Sequence, residues 1–173
     1  TARIWSVHSS KCVHVLRHCR PVTHAVFSGD SAKVLTCSTD GLCKAWCSMS
    51  GLCLRTFRGL GEHVVTTCFS HDSSLVVASA RTTTKVWDAE SGESLWERET
   101  NKSQITSVCF SPDGALVATT SFDGFIQVLT ARTGQVLQRL CASFVKSDEE
   151  LPQEARTITW SSAFSADASM LLV

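Results

Sequence analysis

The chain has 173 residues, 43% of them apolar and 18% charged, enough apolar material for a packed core and too much for global disorder. Sixteen Lys and Arg balance sixteen Asp and Glu, so net charge supplies no general attraction to nucleic acid or to an anionic membrane. No apolar run nears the roughly 20 residues that span a bilayer, and nine cysteines, an odd number set mostly in apolar segments, do not read as the disulfide framework of a small secreted domain.

Those cysteines read as buried free thiols, and the protein is expected inside the cell, in the cytoplasm rather than the nucleus. The N-terminus, Thr1 to Trp5, lacks the basic region and longer apolar stretch of a signal peptide. Its first segment, Ala2-Arg3-Ile4-Trp5, is short, alternating and strand-like. Such a segment returns as Cys43-Lys44-Ala45-Trp46 and as Thr84-Lys85-Val86-Trp87, with the tryptophans 41 residues apart. It returns again as Ile126-Gln127-Val128-Leu129, with Leu129 a further 42 residues on. A second landmark keeps the same interval. Val26-Phe27-Ser28-Gly29-Asp30 matches Cys68-Phe69-Ser70-His71-Asp72, then Cys109-Phe110-Ser111-Pro112-Asp113-Gly114, then Ala163-Phe164-Ser165-Ala166-Asp167. Each joins an aromatic strand end to a turn, and an apolar strand follows: Val34 to Cys37, Leu75 to Ala80, Leu116 to Thr120, Met170 to Val173. A third landmark is a glycine five residues after the Trp position, at Gly51, Gly92 and Gly134, with Ser10 in the first copy. Another strand follows it, as in Cys53 to Phe57, Ser94 to Glu99 and Val136 to Cys141.

Four short strands per roughly 41 residues, with no helical period between them, describe the blade of a β-propeller. The expected fold is all-β, built of four-stranded antiparallel blades that bury their faces against one another. Repeat units are expected at 6–46, 47–87 and 88–129, with an incomplete one at 130–173.

The spacing, the Phe-Ser-Pro-Asp-Gly turn and the Val86-Trp87-Asp88 strand end resemble the WD-repeat family over essentially the whole chain. The resemblance implies a propeller of which this chain supplies a part, three full repeats plus partial ones. Its first residues then correspond to a third strand and its last to a second, and the remaining blades are expected on the same full-length chain. It also implies a non-catalytic scaffold for protein complex assembly, with a protein or peptide partner and no cofactor. Blades of the family are pinned by a hydrogen-bonded set that His18, Ser38, Asp40 and Trp46 match in full. There the Asp accepts from the His ring, and the chain of bonds reaches the Ser and the indole N–H. The next repeat keeps Ser79 and Trp87 but has Arg81 for Asp and Leu60 for His. The third keeps Ser121 and Asp123 but has Leu129 for Trp and Asn101 for His. Both are expected to depend more on apolar packing.

The family's contacts use the rim of the central channel. Two positions per blade reach it, giving Thr39, Ala80 and Phe122 before the turn Asp, and Pro21, His63 and Gln104 before the innermost strand. Phe122 is the leading anchor, because aromatic side chains dominate interface energetics; its alternative is sideways packing against a loop. Arg81, in place of the turn Asp, is a second rim candidate. Between Gly134 and Phe164 the interval is 30 residues where the two preceding copies have 18. The extra residues lie within Ala142 to Arg156, including Asp148-Glu149-Glu150 and Glu154. They read as a solvated acidic loop, or as a contact for a basic partner segment.

No catalytic set is visible. Of the six histidines, His18 has the structural role above and His8, His14, His24, His63 and His71 lack partner spacing, and no nucleophile elbow, His-Glu-x-x-His helix or phosphate-binding Gly-rich loop occurs. Cys37, Cys43, Cys47 and Cys53 contain no Cys-x-x-Cys pair, so no metal is expected. Thr56-Phe57-Arg58-Gly59 lacks the second Arg of the Phe-Arg-Arg-Gly motif with which some propellers bind phosphoinositides. A phosphoinositide or membrane binder and a subunit of an RNA-containing assembly, which would need a basic stripe, are the alternative functions. Direct contact with nucleic acid or membrane and a small-molecule substrate are not expected.

Overall fold

The computed structural model describes residues 1–61, 63–141 and 161–173. Every regular element in them is a strand, and the fold is all-β. A two-stranded sheet comes first, β1 (Ala2–Ser6) with β2 (Lys11–Leu16). Three four-stranded antiparallel sheets follow, each in simple chain order. The first holds β3 (Val22–Phe27), β4 (Lys33–Ser38), β5 (Cys43–Cys47) and β6 (Cys53–Phe57). The second holds β7 (Val64–Phe69), β8 (Leu75–Ala80), β9 (Thr83–Asp88) and β10 (Ser94–Glu99). The third holds β11 (Ile105–Phe110), β12 (Leu116–Ser121), β13 (Phe125–Thr130) and β14 (Val136–Cys141). A short pair, β15 (Ala163–Phe164) and β16 (Leu171–Leu172), comes last.

The sheets stack face to face, and this explains their composition. All six residues of β8 are buried, since successive side chains point to opposite faces and both faces are covered. Val76, Ala78 and Ala80 join Leu35, Cys43, Phe57 and Trp87 between the first and second sheets. Leu75 and Val77 join Val86, Val117 and Leu129 between the second and third. Trp46, Trp87 and Leu129 sit at one strand position and all face the sheet that precedes theirs in the chain. The outermost strands are wetter; five of the six residues of β10 are exposed, with Trp96 the buried one.

The sheets, spanning 22–57, 64–99 and 105–141, are out of phase with a repeat counted from tryptophan to tryptophan. Residues 47–87 contain β6, the outer strand of one sheet, followed by β7, β8 and β9 of the next.

The recurrent turn is built the same way each time. Ser28, Ser70, Ser111 and Ser165 donate through their hydroxyls to Asp30, Asp72, Asp113 and Asp167 at 2.6, 2.6, 2.5 and 2.6 Å. The same hydroxyls accept the backbone N–H that opens the following strand, at 2.8 to 2.9 Å. Such Asx-type turns satisfy backbone donors where the ladder stops.

Candidate functional site

His18 leaves β2 and reaches under the first sheet. Its Nδ1 lies 3.3 Å from Asp40 Oδ2 and its Nε2 lies 2.7 Å from Thr36 Oγ1. The Trp46 indole donates to that same Thr36 oxygen at 2.8 Å. One proton arrangement satisfies every group: indole N–H to Thr36, Thr36 O–H to His18 Nε2, and His18 Nδ1–H to Asp40. The hydroxyl between imidazole and indole is therefore Thr36, where the sequence points to Ser38. Ser38 buttresses the turn instead, donating to the Arg20 carbonyl at 3.1 Å and accepting from the Asp40 N–H at 3.2 Å. Thr36 and Ser38 share one face of β4, and only distance along the strand separates their roles. Burial draws the His18 imidazole below its ordinary 6.5 against the pull of Asp40, which keeps it neutral and fit for this relay.

The second and third sheets solve the same problem differently. Asn101 occupies the place of His18, accepting from Thr119 at 2.9 Å and donating to Ser121 at 2.8 Å, and Ser121 in turn donates to Asp123 at 2.5 Å. The third sheet thus keeps a buried polar network, where the sequence pointed to a greater dependence on apolar packing. In the second sheet Leu60 enters the apolar core, Ala78 stands where Thr36 does, and a line of hydroxyls runs from Ser79 to Thr84 to Thr100 at 2.9 and 3.0 Å. Ser79 pairs with Thr84 across a hairpin one residue shorter than that of Cys37 and Cys43, so its strand counterpart is Cys37 rather than Ser38.

A further device escaped the sequence. From three outer strands, β2, β6 and β10, one side chain crosses to the turn of the next sheet. His14 on β2 bonds the Met49 carbonyl at 2.8 Å, Arg55 on β6 bonds the Glu90 carbonyl, and Trp96 on β10 donates to the Ala131 carbonyl at 2.7 Å. A Cβ at Gly51, Gly92 or Gly134 would come within 2.8, 3.0 and 2.6 Å of these same three side chains. The glycine beat therefore has a second cause besides positive φ: it leaves room for a clasp. His14, Arg55 and Trp96 are 41 residues apart, and that spacing was the available signal.

The rim candidates fall into two groups. Thr39, His63, Arg81 and Gln104 converge, with Thr23 and Thr82, on one cleft of about 730 Å³ at the start of the innermost strands. Phe122 is half-buried and is not among the cleft's lining residues, although its N–H donates to the Gln104 carbonyl at 3.0 Å. Ala80 is 3% exposed and belongs to the core, because the short hairpin moves Arg81 into the place that Thr39 and Phe122 hold in their sheets. Pro21 accepts the Thr39 N–H at 3.0 Å. The acidic insertion, Ala142 to Arg156, lies outside the described residues.

Comparison with known proteins agrees with this geometry. The family model for the WD40 domain of anaphase-promoting complex subunit 4 matches residues 68–163, more than half of the chain. A second model, the WD domain, G-beta repeat, matches residues 10–47. This chain belongs to the WD-repeat family. Among its WD-repeat relatives, apoptotic protease-activating factor 1 of Rattus norvegicus is 29% identical over 98% of this chain and 13% of its own length. COMPASS component SWD3 of Saccharomyces cerevisiae is 27% identical over 92% of this chain and 50% of its own length. The target of rapamycin complex subunit wat1 of Schizosaccharomyces pombe is 26% identical over 61% of this chain and 34% of its own length. The chain thus spans half or less of the length of these relatives.

Within this WD-repeat arc the remaining sequence candidates find structural places. Phe57, of the Thr56-Phe57-Arg58-Gly59 stretch, is 1% exposed and packs on Trp87 with ring centroids 5.7 Å apart. Cys12, Cys19, Cys37, Cys43, Cys47, Cys53, Cys68 and Cys109 form no disulfide. Burial pushes the Cys37 thiol up to about 11 and the Cys68 thiol up to about 12, so these remain protonated core groups. Among the described residues no three His, Cys, Asp or Glu side chains stand close enough to share a metal ion. No helix there is long and apolar enough to cross a membrane.

Proposed function

We propose that this chain is part of a non-catalytic intracellular scaffold, and that it holds a protein or peptide partner at the rim cleft formed by Thr39, His63, Arg81 and Gln104. The observation that carries this reading is convergence: polar residues from separate loops, with His63, Arg81 and Gln104 exposed, line one cleft. Polar side chains that fix orientation and leave their hydrogen-bonding groups to solvent suit recognition of another chain. The names of two relatives, a COMPASS component and a target of rapamycin complex subunit, support a role as one subunit of a larger assembly. The rest of the propeller is proposed to lie on the same full-length protein. Thiols free of disulfides at eight positions, Cys37, Cys43 and Cys68 among them, support a reducing compartment, with the cytoplasm proposed.

Affinity purification from cells with the wild-type protein and with a His63→Ala/Gln104→Ala double variant tests the proposal. Loss of a defined subset of partners from the variant is expected, with the melting temperature unchanged. An identical partner list would remove the rim cleft from the function.

A further inference from the structure

We infer that the partner segment seated in the rim cleft is acidic, with a glutamate or aspartate side chain placed against Arg81. This inference rests on the rim reading of the proposed function and names the chemistry of its occupant.

The cleft is lined by Arg81, His63 and Gln104 together with three threonines, Val64 and Val65, and no carboxylate is among its lining residues within the described part of the chain. Two ion pairs occur among the described residues, His18 with Asp40 and Lys85 with Glu97, and neither involves Arg81. The guanidinium is exposed and, among the described residues, is the one permanent charge lining the cleft. Glu99, the carboxylate that accepts from the Thr82 hydroxyl at 3.2 Å, is not among the lining residues. The threonine hydroxyls are already engaged: Thr23 donates to the Val64 carbonyl at 2.6 Å, and Thr39 to the Pro21 carbonyl at 3.5 Å. What the cleft offers a ligand is therefore the Arg81 fork, the Gln104 amide and the His63 ring. All three can donate, and a guanidinium grips a carboxylate through two parallel N–H bonds. A lysine- or arginine-rich segment would meet like charge.

The backbone adds an independent mark. Arg81 opens a two-residue hairpin between the paired Ala80 and Thr83, and its φ is 52°. Glycine or asparagine suits that conformation, and a long side chain with a Cβ is disfavoured there. His63, facing the same cleft, has φ of 63°. Strained residues collected at one cleft mark a place where the side chain matters more than local stability. The other two full hairpins carry Asp40 and Asp123 in this turn, Asp40 engaged by His18 and the Leu42 N–H and Asp123 by Ser121. In the second sheet the shortened hairpin carries no turn carboxylate, and Arg81, at the place of Thr39 and Phe122, faces the cleft.

The test is fluorescence anisotropy on the whole chain with three fluorescein-labelled probes: a Ser-Glu repeat peptide, its Ser-Lys counterpart and its Ser-Gln counterpart. The Ser-Glu probe should bind, weaken with added salt, and lose roughly tenfold or more in affinity with Arg81→Gly. That variant relieves the backbone, so its melting temperature should match or exceed the wild type, which separates loss of binding from loss of fold. Equal binding of the Ser-Lys or Ser-Gln probe, undiminished Ser-Glu binding by Arg81→Gly, or binding of no probe would each overturn the acidic assignment. Failure of the rim reading itself shows elsewhere, in a partner list indifferent to His63→Ala/Gln104→Ala.

Discussion

His18 shows how much one residue's protonation carries. Its neutral form donates to Asp40 and accepts from Thr36, and a second proton would turn the Nε2 acceptor into a donor against the Thr36 hydroxyl. Burial lowers its pKa, Asp40 opposes, and Lys44 adds to the lowering. His24, whose Nδ1 is buried without a partner, is also lowered by burial, with the Thr67 backbone opposing. The unfolded chain therefore takes up protons at these rings near their ordinary 6.5 before the folded one does, so stability is complete above that value and falls as pH drops through it. Carboxylates act lower on the scale. The Ser70 hydroxyl, with Ser74, holds Asp72 down to about 2, so its contribution is full above 3.8 and is lost toward 2. Urea midpoints measured from pH 8 to pH 3 should decline in two steps, and His18→Asn, which imports the solution used at Asn101, should shrink the first. A flat profile between pH 8 and pH 5 would contradict the neutral relay. At this scale the family resemblance pointed to His18, Asp40 and Trp46, which do meet in one network, and to Ser38 as its hydroxyl; Thr36, two residues earlier on the same strand face, holds that place.

Elements are joined by the clasps, and their glycines predict a graded series. Gly134→Ala would push a Cβ to 2.6 Å from the Trp96 ring at φ of 67°, and the ring is fixed by its bond to the Ala131 carbonyl. It should cost about 2 kcal/mol. Gly92→Ala meets only the flexible stem of Arg55 at 3.0 Å and should cost less. Thermal unfolding of the two variants checks the order; equal shifts would mean that the backbone conformation alone sets the glycine requirement. Strands were the most legible part of this chain, since alternation and the Trp, Phe-Ser-x-Asp and Gly landmarks repeat at one interval. The clasp was hidden because an imidazole, a guanidinium and an indole do one job, and no residue type repeats. Arg81 was legible as a departure, but its place on the rim followed from a hairpin shortened by one residue, which displaced Ala80 into the core.

At the scale of the whole molecule, stability depends on which sheets have neighbours. Trp87 is 2% exposed, against the first sheet, whereas Trp5, at the same strand position in the two-stranded sheet, is 55% exposed. Trp87→Ala should cost about 3–5 kcal/mol and Trp5→Ala less than about 0.5 kcal/mol in urea unfolding of this chain; similar losses would show that Trp5 is covered in solution. The phase offset between sheet and repeat has a consequence of another kind. Removing residues 47–87 would join Trp46 to Asp88 and hand β5 a new outer neighbour, β10, already suited to pair with the strand that Trp46 ends. The strand count per sheet survives, and one blade disappears whole. Duplication of the same stretch would add one. A gene that gains or loses a repeat at this joint therefore changes the length of the arc in complete blades and leaves no broken sheet behind, so the architecture can grow or shrink without passing through a misfit.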